Sequence, residues 1–416
     1  MKRTNDWKSA EDGFILKAYR FQRYKRRGHR RFEPARHGSH DSLRQLWLGT
    51  EGKTLWQVCF PGGFQMSRYL SQLFNRHPMN VKPHIEKISP KSAIPGGEIQ
   101  IRGAGFCCGL ERPLVRIGAA EAPLVVSSDR YLVARVPEDA VSSELTIGDS
   151  ENRSNAVPVE VGAAIADNVH PVANPAIDRD GNIYVTFSGS RGQKVPVSVY
   201  KIDTNYNVKP FLTDIMNPTG LAFDRNNSLY VSSRLDGNIY RAAPNGTVAI
   251  YAKGMGVATG IAFDQDEFLY VGDRSGTIFK IAPDRQIFVF ATLEPSIAAY
   301  HLAFGPDGYL YVTGPTTSSY DSVYRISKNG EVEKFFRGVG RPQGMAFDGS
   351  GNLYVAASHV GRRGILRISP QGNVELAVSG SGFVGLAFTH GQSAILATTH
   401  AVYRLNGSVK GKPLLE

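Results

Sequence analysis

The chain has 416 residues, with 48 Lys and Arg against 37 Asp and Glu, a net charge of +11 and three cysteines. No apolar run approaches the roughly 18 residues that a membrane-spanning helix requires, and no apolar stretch followed by a small-residue cleavage site marks a secretory leader. These absences predict a protein without a membrane partner. Because Cys59 and the adjacent Cys107 and Cys108 offer no disulfide framework, the sequence also predicts a cytoplasmic protein.

The first 78 residues are strongly basic. They hold 16 of the 48 Lys and Arg but only 6 of the 37 Asp and Glu, whereas the rest of the chain is almost neutral. Within them, Arg20–His37 interleaves arginines with aromatic residues, a pattern that can neutralise phosphates and stack on bases. So abrupt a change of composition is typical of disorder. We expect residues 1–78 to be a disordered basic extension, or a stretch upstream of a true start at Met79, and nucleic acid to be a partner only through residues 20–37.

Residues 79–161 carry short alternating strands separated by Pro and Gly turns, with no helical period. Pro83–Phe106 reads PHIEKISPKSAIPGGEIQIRGAGF, and VRIGAAEAPLVV, YLVARVPEDA and ENRSNAVPVEV follow it. About eighty residues of this kind predict a small β-sandwich. In order, spacing and turn residues the stretch resembles the immunoglobulin-like IPT/TIG family, which implies a spacer or interaction module of a type common in bacteria.

One phrase then recurs six times. It reads PTGLAFDRNNSLYV at Pro218–Val231, ATGIAFDQDEFLYV at Ala258–Val271, YHLAFGPDGYLYV at Tyr300–Val312 and PQGMAFDGSGNLYV at Pro342–Val355, with weaker copies at Asn174–Val185 and Phe383–Ala397. A period of about forty residues with several short strands per copy is typical of a β-propeller blade. The sequence therefore predicts an all-β chain in which residues 162–407 form a six-bladed β-propeller, followed by a tail at residues 408–416.

Each copy predicts four strands. The GLAF and LYV strands flank a polar DxxG hairpin, a third strand alternates apolar and basic residues, and an NG-type turn leads to the fourth. We expect the basic residues of the third strand to point to water and the repeated tyrosines, Tyr184 to Tyr354, to pack between blades. The sixth copy ends after Leu405 without a fourth strand. Because pairing the chain ends would remove open sheet edges, Val159–Ala166 is predicted to supply it.

The links before GLAF and after LYV gather at one mouth of the predicted channel. The predicted ligand-binding residues there are Arg191, Arg234, Arg274, Thr219, Thr259, Gln343 and Arg362, with Lys194 and Arg363 on the same rim. The opposite face collects the DxxG carboxylates, among them Asp178, Asp224, Asp264, Asp307 and Asp348. Since a basic concavity attracts anions, the predicted partner is an anionic small molecule or protein segment.

The propeller resembles NHL-repeat proteins and the group of six-bladed hydrolases related to gluconolactonase, senescence-marker protein and strictosidine synthase. The second resemblance implies a divalent cation at the channel mouth, held by Glu, Asn and Asp side chains. In this chain Thr219, Thr259, His301, Gln343 and Val384 stand at the positions of the Asn and Asp. Because hard cations require charged oxygen ligands, the sequence predicts no metal site of that kind and no cofactor.

Two classes of function remain open. The favoured one is a binding or scaffold protein whose basic mouth holds an anion. The other is a gluconolactonase-like hydrolase or a propeller lyase, in which His301, with His359 or His400, supplies acid and base chemistry. A carboxylate beside His301, for which the sequence offers Asp273 or Asp321, would favour the enzyme. The chain has no CxxC, HExxH, Walker or GxSxG motif, so the commonest single-motif enzyme classes receive no support.

Overall fold

The computed structural model describes residues 82–106, 112–318, 320–391, 393–407 and 411. The regular elements within these ranges are β-strands, which confirms the predicted all-β class. The predicted basic extension of residues 1–78, including Arg20–His37, lies outside the described residues, as does the tail of residues 408–416 apart from Gly411. Over the described ranges, no helix is long and apolar enough to cross a membrane.

The first folded part is a sandwich of two sheets. Its strands are β1 (His84–Ser89), β2 (Ser92–Ala93), β3 (Glu98–Ala104), β4 (Val115–Ile117), β5 (Ala120–Glu121), β6 (Leu124–Ser127), β7 (Tyr131–Arg135), β8 (Ser143–Ile147) and β9 (Val157–Val161). One sheet has the order β1-β3-β7-β6, and the other contains β2-β9-β8-β4-β5. Alternate residues of each strand point inward. Ile99 and Ile101 of β3 therefore share a buried core with Leu132 of β7 and Leu145 of β8.

The second folded part is a propeller of six four-stranded blades. Its strands are β10 (Ala163–Asp167), β11 (Ala176–Ile177), β12 (Ile183–Thr186), β13 (Val199–Ile202), β14 (Val208–Leu212), β15 (Pro218–Phe223), β16 (Leu229–Ser233), β17 (Ile239–Ala242), β18 (Val248–Ala252), β19 (Ala258–Phe263), β20 (Leu269–Asp273), β21 (Thr277–Ile281), β22 (Ile287–Thr292), β23 (His301–Phe304), β24 (Leu310–Thr313), β25 (Asp321–Ile326), β26 (Val332–Val339), β27 (Met345–Phe347), β28 (Leu353–His359), β29 (Arg362–Ile368), β30 (Val374–Ser379), β31 (Phe383–Phe388), β32 (Ala394–Thr398) and β33 (Ala401–Leu405).

The blades follow one another in chain order around a closed ring. Blades 1 to 5 are β11–β14, β15–β18, β19–β22, β23–β26 and β27–β30, and blade 6 is β31–β33 with β10. The first strands of successive blades contact one another, and β31 returns to contact β11. These first strands therefore form the inner wall, which confirms the predicted six-bladed arrangement.

A strand from before the first blade completes the last blade. β10 pairs antiparallel with β33, and Asp167 lies opposite Ala401. The closing strand starts later than the predicted Val159–Ala166, because Val157–Val161 pairs with β8 and β2 in the sandwich instead. A single residue, Gly162, separates the last sandwich strand from the first propeller strand. The boundary between residues 161 and 162 remains a prediction.

A repeated tyrosine joins each blade to the next. The Tyr184 ring packs edge to face on Phe223 of blade 2, with 5.1 Å between centroids, and its hydroxyl donates to Asp178 Oδ2 at 3.0 Å. The ring pairing recurs at Tyr230–Phe263, Tyr270–Phe304, Tyr311–Phe347 and Tyr354–Phe388. At the sixth joint Ile395 replaces the tyrosine and packs with Ile183 of blade 1. The predicted interblade packing of the tyrosines is thus confirmed.

The cations of the third strands fold back over these tyrosines. Lys201 Nζ lies 5.5 Å from the centroid of the Tyr184 ring, and the Arg241 guanidinium lies 5.8 Å from that of Tyr230. Arg241 also forms an ion pair with Asp224 at 3.4 Å. The prediction that these charges point to water holds in part, since the Lys201 and Arg241 side chains are 33% and 42% exposed. Alternation determines the face of the strand from which a side chain projects. A long cationic side chain can still fold back onto a nearby aromatic ring and carboxylate.

The sandwich adds a strand to the outer edge of blade 5. β2 pairs in parallel with β30, with Ser92 opposite Val378, so one nine-stranded sheet runs through both parts. The Glu98 amide donates to Ser379 Oγ at 2.8 Å, and Arg362 Nη2 donates to the Ser89 carbonyl at 2.7 Å. The Arg362 guanidinium is thus used at the junction, and its role as a ligand-binding residue at the channel mouth remains a prediction.

Replacing Arg362 by alanine should weaken the junction. The change leaves the half-buried Ser89 carbonyl without this donor, and we expect a loss of about 1–3 kcal/mol in the free energy of unfolding. Denaturant unfolding of the full chain measures it. Arg363→Ala, at the exposed neighbouring position, is the matched control and should change little. Equal effects of the two substitutions would show that Arg362 does not hold the junction.

Candidate anion-binding site

The channel mouth is built from the turns that begin the inner strands. A β-carbon on Gly220 would overlap the Thr259 carbonyl oxygen, and one on Gly260 would overlap the carbonyl oxygen of Tyr300. Glycine at this step therefore lets the backbones of neighbouring inner strands approach closely. Because of this approach, the Gly260 amide donates to the Tyr300 carbonyl at 2.8 Å.

Two of the predicted ligand-binding side chains make hydrogen bonds within the fold. Thr259 Oγ1 accepts from the Tyr300 amide at 3.1 Å and donates to the Gly272 carbonyl at 2.8 Å. Thr219 is buried, and its hydroxyl donates to the Asn217 carbonyl at 3.4 Å. Both hydroxyls thus make contacts within the fold. Ligand binding by Thr219 and Thr259 remains a prediction.

Three of the predicted arginines lie close together at blades 1 to 3. Arg234 follows β16 and Arg274 follows β20, at equivalent positions of adjacent blades, and Arg191 lies in the β12–β13 loop of blade 1. Arg234 Nη2 donates to the Gly189 carbonyl in that loop at 3.0 Å. Arg274 Nε donates to the Ser296 carbonyl at 3.2 Å. We call Arg191, Arg234 and Arg274 the arginine cluster.

A buried asparagine fixes the loop that carries Arg191. Asn217 Oδ1 accepts from the Gly192 amide at 2.7 Å, and its Nδ2 donates to the carbonyls of Gly189 and Ser190 at 3.0 and 2.9 Å. The sequence analysis missed Asn217. The sequence signal that could have identified it is the Asn-Pro step just before an inner strand. Asn217 has a φ of 46°, in the left-handed region that asparagine adopts more readily than most residues do.

Among the residues that the structure describes, no carboxylate forms an ion pair with Arg234. Burial lowers the pKa of the Arg234 guanidinium, and the charges of Arg274 and then Arg191 lower it further. Its Nε is buried without a hydrogen-bond partner among the described residues. By contrast, Lys194 of the predicted rim forms an ion pair with Asp214 at 2.9 Å. The excess positive charge at Arg234 would attract an anion.

His301 lies at the start of β23 and is buried. Burial lowers the pKa of its imidazole to about 4, although a hydrogen bond with Gln343 opposes the shift. Its Nε2 has no hydrogen-bond partner within the described chain. The imidazole is therefore neutral at physiological pH, and one ring nitrogen is unused. Gln343, predicted to bind ligand, contacts His301 and also accepts from Thr313 Oγ1 through its backbone carbonyl at 2.6 Å.

The other two predicted histidines each have their own surroundings. His359 Nδ1 lies 3.0 Å from the Gly338 carbonyl oxygen, and its ring packs against Phe336. His400 is exposed and packs edge to face on His170, with 5.4 Å between ring centroids. No contact recorded for the described residues joins either ring to His301. The grouping of the three histidines as one catalytic set remains a prediction.

The carboxylates proposed as partners of His301 are bonded elsewhere. Asp273 Oδ1 accepts from the Val257 amide at 2.8 Å. Asp321 Oδ1 accepts from the Thr316 amide at 2.9 Å, and Asp321 Oδ2 accepts from the Arg341 amide at 3.2 Å. Among the residues that the structure describes, no group of three or more His, Cys, Asp or Glu is placed to hold a metal ion.

The pKa of His301 predicts a specific loss of stability in acid. The folded imidazole titrates near 4 and the unfolded one near 6.5, so the unfolded chain binds the extra proton as pH falls between these values. The free energy of unfolding therefore decreases by about 3 kcal/mol as the pH falls through this window. Denaturant unfolding at neutral pH and near pH 4 should show a smaller loss for His301→Gln than for the wild type. His400→Gln is the exposed control, and a wild-type acid sensitivity in His301→Gln would contradict the assignment.

Comparison with known proteins supports the architecture. Residues 83–164 match the family described as the IPT/TIG domain, which confirms the resemblance predicted for the sandwich. A solved structure described as a candidate gluconolactonase is 16% identical, with a TM-score of 0.50 over 61% of this chain and 93% of its own. At this identity the likeness shows the fold alone. The chain thus has a segment, residues 83–164, that matches the IPT/TIG family, and a six-bladed β-propeller fold.

Two further solved structures are similar at a lower level. An auxiliary nutrient binding protein from Bacteroides thetaiotaomicron is 14% identical, with a TM-score of 0.46 over 78% of this chain and 97% of its own. A virginiamycin B lyase from Staphylococcus aureus is 14% identical, with a TM-score of 0.43 over 71% of this chain and 100% of its own. The comparison with curated proteins gave no match.

Proposed function

We propose that the chain is a binding protein that holds a small anion, or an anionic segment of a partner protein, at the arginine cluster. The observation that carries this proposal is the half-buried guanidinium of Arg234, which lies beside the charges of Arg191 and Arg274 and has an unused buried Nε. Holding like charges together costs free energy that a bound anion offsets.

The chemistry of the cluster suits a carboxylate or phosphate. A guanidinium presents its N–H groups in a planar fork that matches two oxygens at once. Each well-formed charge-assisted hydrogen bond contributes about 1.5–3 kcal/mol. Arg234 and Arg274 are also held in place by the carbonyls of Gly189 and Ser296, so little side-chain freedom is lost on binding.

Removing two charges of the cluster should abolish binding. Calorimetric titration at low salt with phosphate, citrate and an acidic peptide should find a binder for the wild type. An Arg234→Ala/Arg274→Ala double variant should bind it at least about a hundredfold more weakly, since two such hydrogen bonds are lost. Added salt should weaken wild-type binding because the attraction is between charges.

A matched control separates local contacts from total charge. Arg112→Ala/Arg130→Ala removes two exposed arginines of the sandwich and should bind like the wild type. If no anion binds the wild type, or if both double variants lose affinity equally, the arginine cluster is not the site.

An enzymatic alternative rests on the buried, unpaired Nε2 of His301. With a pKa of about 4 the imidazole is neutral at physiological pH, so it would accept a proton or a hydrogen bond rather than donate as a cation. Lactones and aryl esters are the probes. Turnover that is lost in His301→Ala and retained in His359→Ala would support this alternative, whereas no turnover by the wild type would exclude it for these substrates and leave anion binding untouched.

A further inference from the structure

Two histidines lie side by side where the ring of blades closes. β10 pairs with β33, and His170 lies just after the first of these strands while His400 lies just before the second. Their ring centroids are 5.4 Å apart, and the ring planes are nearly perpendicular, at 78°. The Val169 amide donates to the His400 carbonyl at 3.2 Å, so backbone hydrogen bonding holds the two segments together. We call His170 and His400 the histidine pair.

The ring of His170 is held in one orientation. It packs edge to face on Phe187 of blade 1, with 5.3 Å between centroids, and its Nδ1 lies 3.1 Å from the Thr399 carbonyl oxygen. Because a carbonyl only accepts hydrogen bonds, Nδ1 of the neutral ring carries the proton and Nε2 carries the lone pair. Histidines that bind metals almost always donate their other ring N–H to a carbonyl, a carboxylate or water. His170 thus has the arrangement of a metal ligand.

The ring of His400 is free to turn toward His170. Among the described residues no hydrogen bond holds this ring, and the residue is exposed. The torsion between Cβ and an imidazole ring has broad energy minima, so rotation is easy. Two imidazoles that bind one tetrahedral zinc ion at about 2.1 Å have ring centroids roughly 5 Å apart. At the observed 5.4 Å, a rotation of His400 therefore lets one ion bind both rings.

The histidine pair lies at the joint between blades 6 and 1, where Ile395 replaces the repeated tyrosine. This joint therefore lacks the kind of hydrogen bond that the Tyr184 hydroxyl donates to Asp178. His400 belongs to blade 6, and His170 leads into blade 1. An ion bound to both would connect the two ends of the ring. Because it would bind only where the ring is closed, it would stabilise the folded propeller.

We propose that the histidine pair is a binding site for a divalent transition-metal ion such as zinc, which fastens the closure of the propeller. Imidazole nitrogen is a preferred ligand of zinc, copper and nickel. No third His, Cys, Asp or Glu joins the pair among the residues that the structure describes, so water completes the coordination at this exposed place. The histidine pair shares no residue with the arginine cluster, so either site can exist without the other.

Calorimetric titration of the full chain with zinc tests the site. The chain has ten histidines and three cysteines, so the zinc bound is compared between variants. His400→Phe keeps an aromatic ring for packing on His170 but removes both nitrogens. It should bind one zinc ion fewer per chain than the wild type, or bind that ion at least about tenfold more weakly. His390→Gln, at an exposed position of blade 6, is the matched control and should bind zinc like the wild type.

Thermal unfolding provides the second measurement. After removal of bound metal with EDTA, added zinc should raise the melting temperature of the wild type by a few degrees more than that of His400→Phe. Equal zinc binding and equal stabilisation in these two proteins overturn the proposal. Zinc binding that is lost in His400→Phe but retained in His170→Gln also overturns it, since the ion requires both rings. If His400→Phe melts below the wild type without metal, His400→Gln is the second variant, with the same expected loss of zinc binding.

Discussion

The joints between blades depend on burying a tyrosine ring while its hydroxyl keeps a hydrogen bond. A phenol ring offers a large apolar surface, but its oxygen needs a partner once water is excluded. Tyr270 meets both conditions by packing on Phe304 of the next blade and donating to Asp264 Oδ2 at 3.1 Å. Burial and the charge of Asp264 raise the pKa of the Tyr270 hydroxyl well above its usual value, so it remains a donor at physiological pH.

The carboxylate that receives this hydroxyl also shapes the turn of its blade. Asp264 Oδ1 accepts from the amides of Asp266 and Phe268, so one side chain fixes both the hairpin and the joint. Blade 6 departs from this arrangement: Thr389 stands at the turn and accepts from the Ser393 amide, and Ile395 replaces the tyrosine. Blade 6 is instead held by β10, which comes from the other end of the propeller. Closure of the ring thus compensates for the one joint that lacks the tyrosine.

Features that repeat with the blade could be predicted from the sequence, and features that depend on single long side chains could not. The strands, the six blades and the proximity of Arg234 to Arg274 follow from periodicity, because equivalent positions of consecutive blades lie side by side. The role of Arg362 does not, since it bonds to Ser89, 273 residues earlier in the chain. The interblade use of the Thr259 hydroxyl was equally hidden, because it depends on how closely two backbones approach.

Of the buried polar atoms without a partner in the described chain, His301 Nε2 lies where the repeat changes. In blade 4 Leu302 lies opposite Val312, as Ile261 lies opposite Val271 in blade 3, but β23 pairs with β24 without the register shift that precedes Ile261. The first residue of β23 is His301, whose Nε2 is unused. Arg367 also has a buried Nε without a partner, but its guanidinium forms an ion pair with Glu375 at 2.8 Å. Arg234 has no such carboxylate partner in the described part of the chain and faces two like charges. A buried donor without a partner destabilises the fold by roughly 1–3 kcal/mol. Such unsatisfied groups are most often found where the binding of a ligand would satisfy them. This difference supports the arginine cluster, rather than the acidic face, as the site of the proposed anion binding.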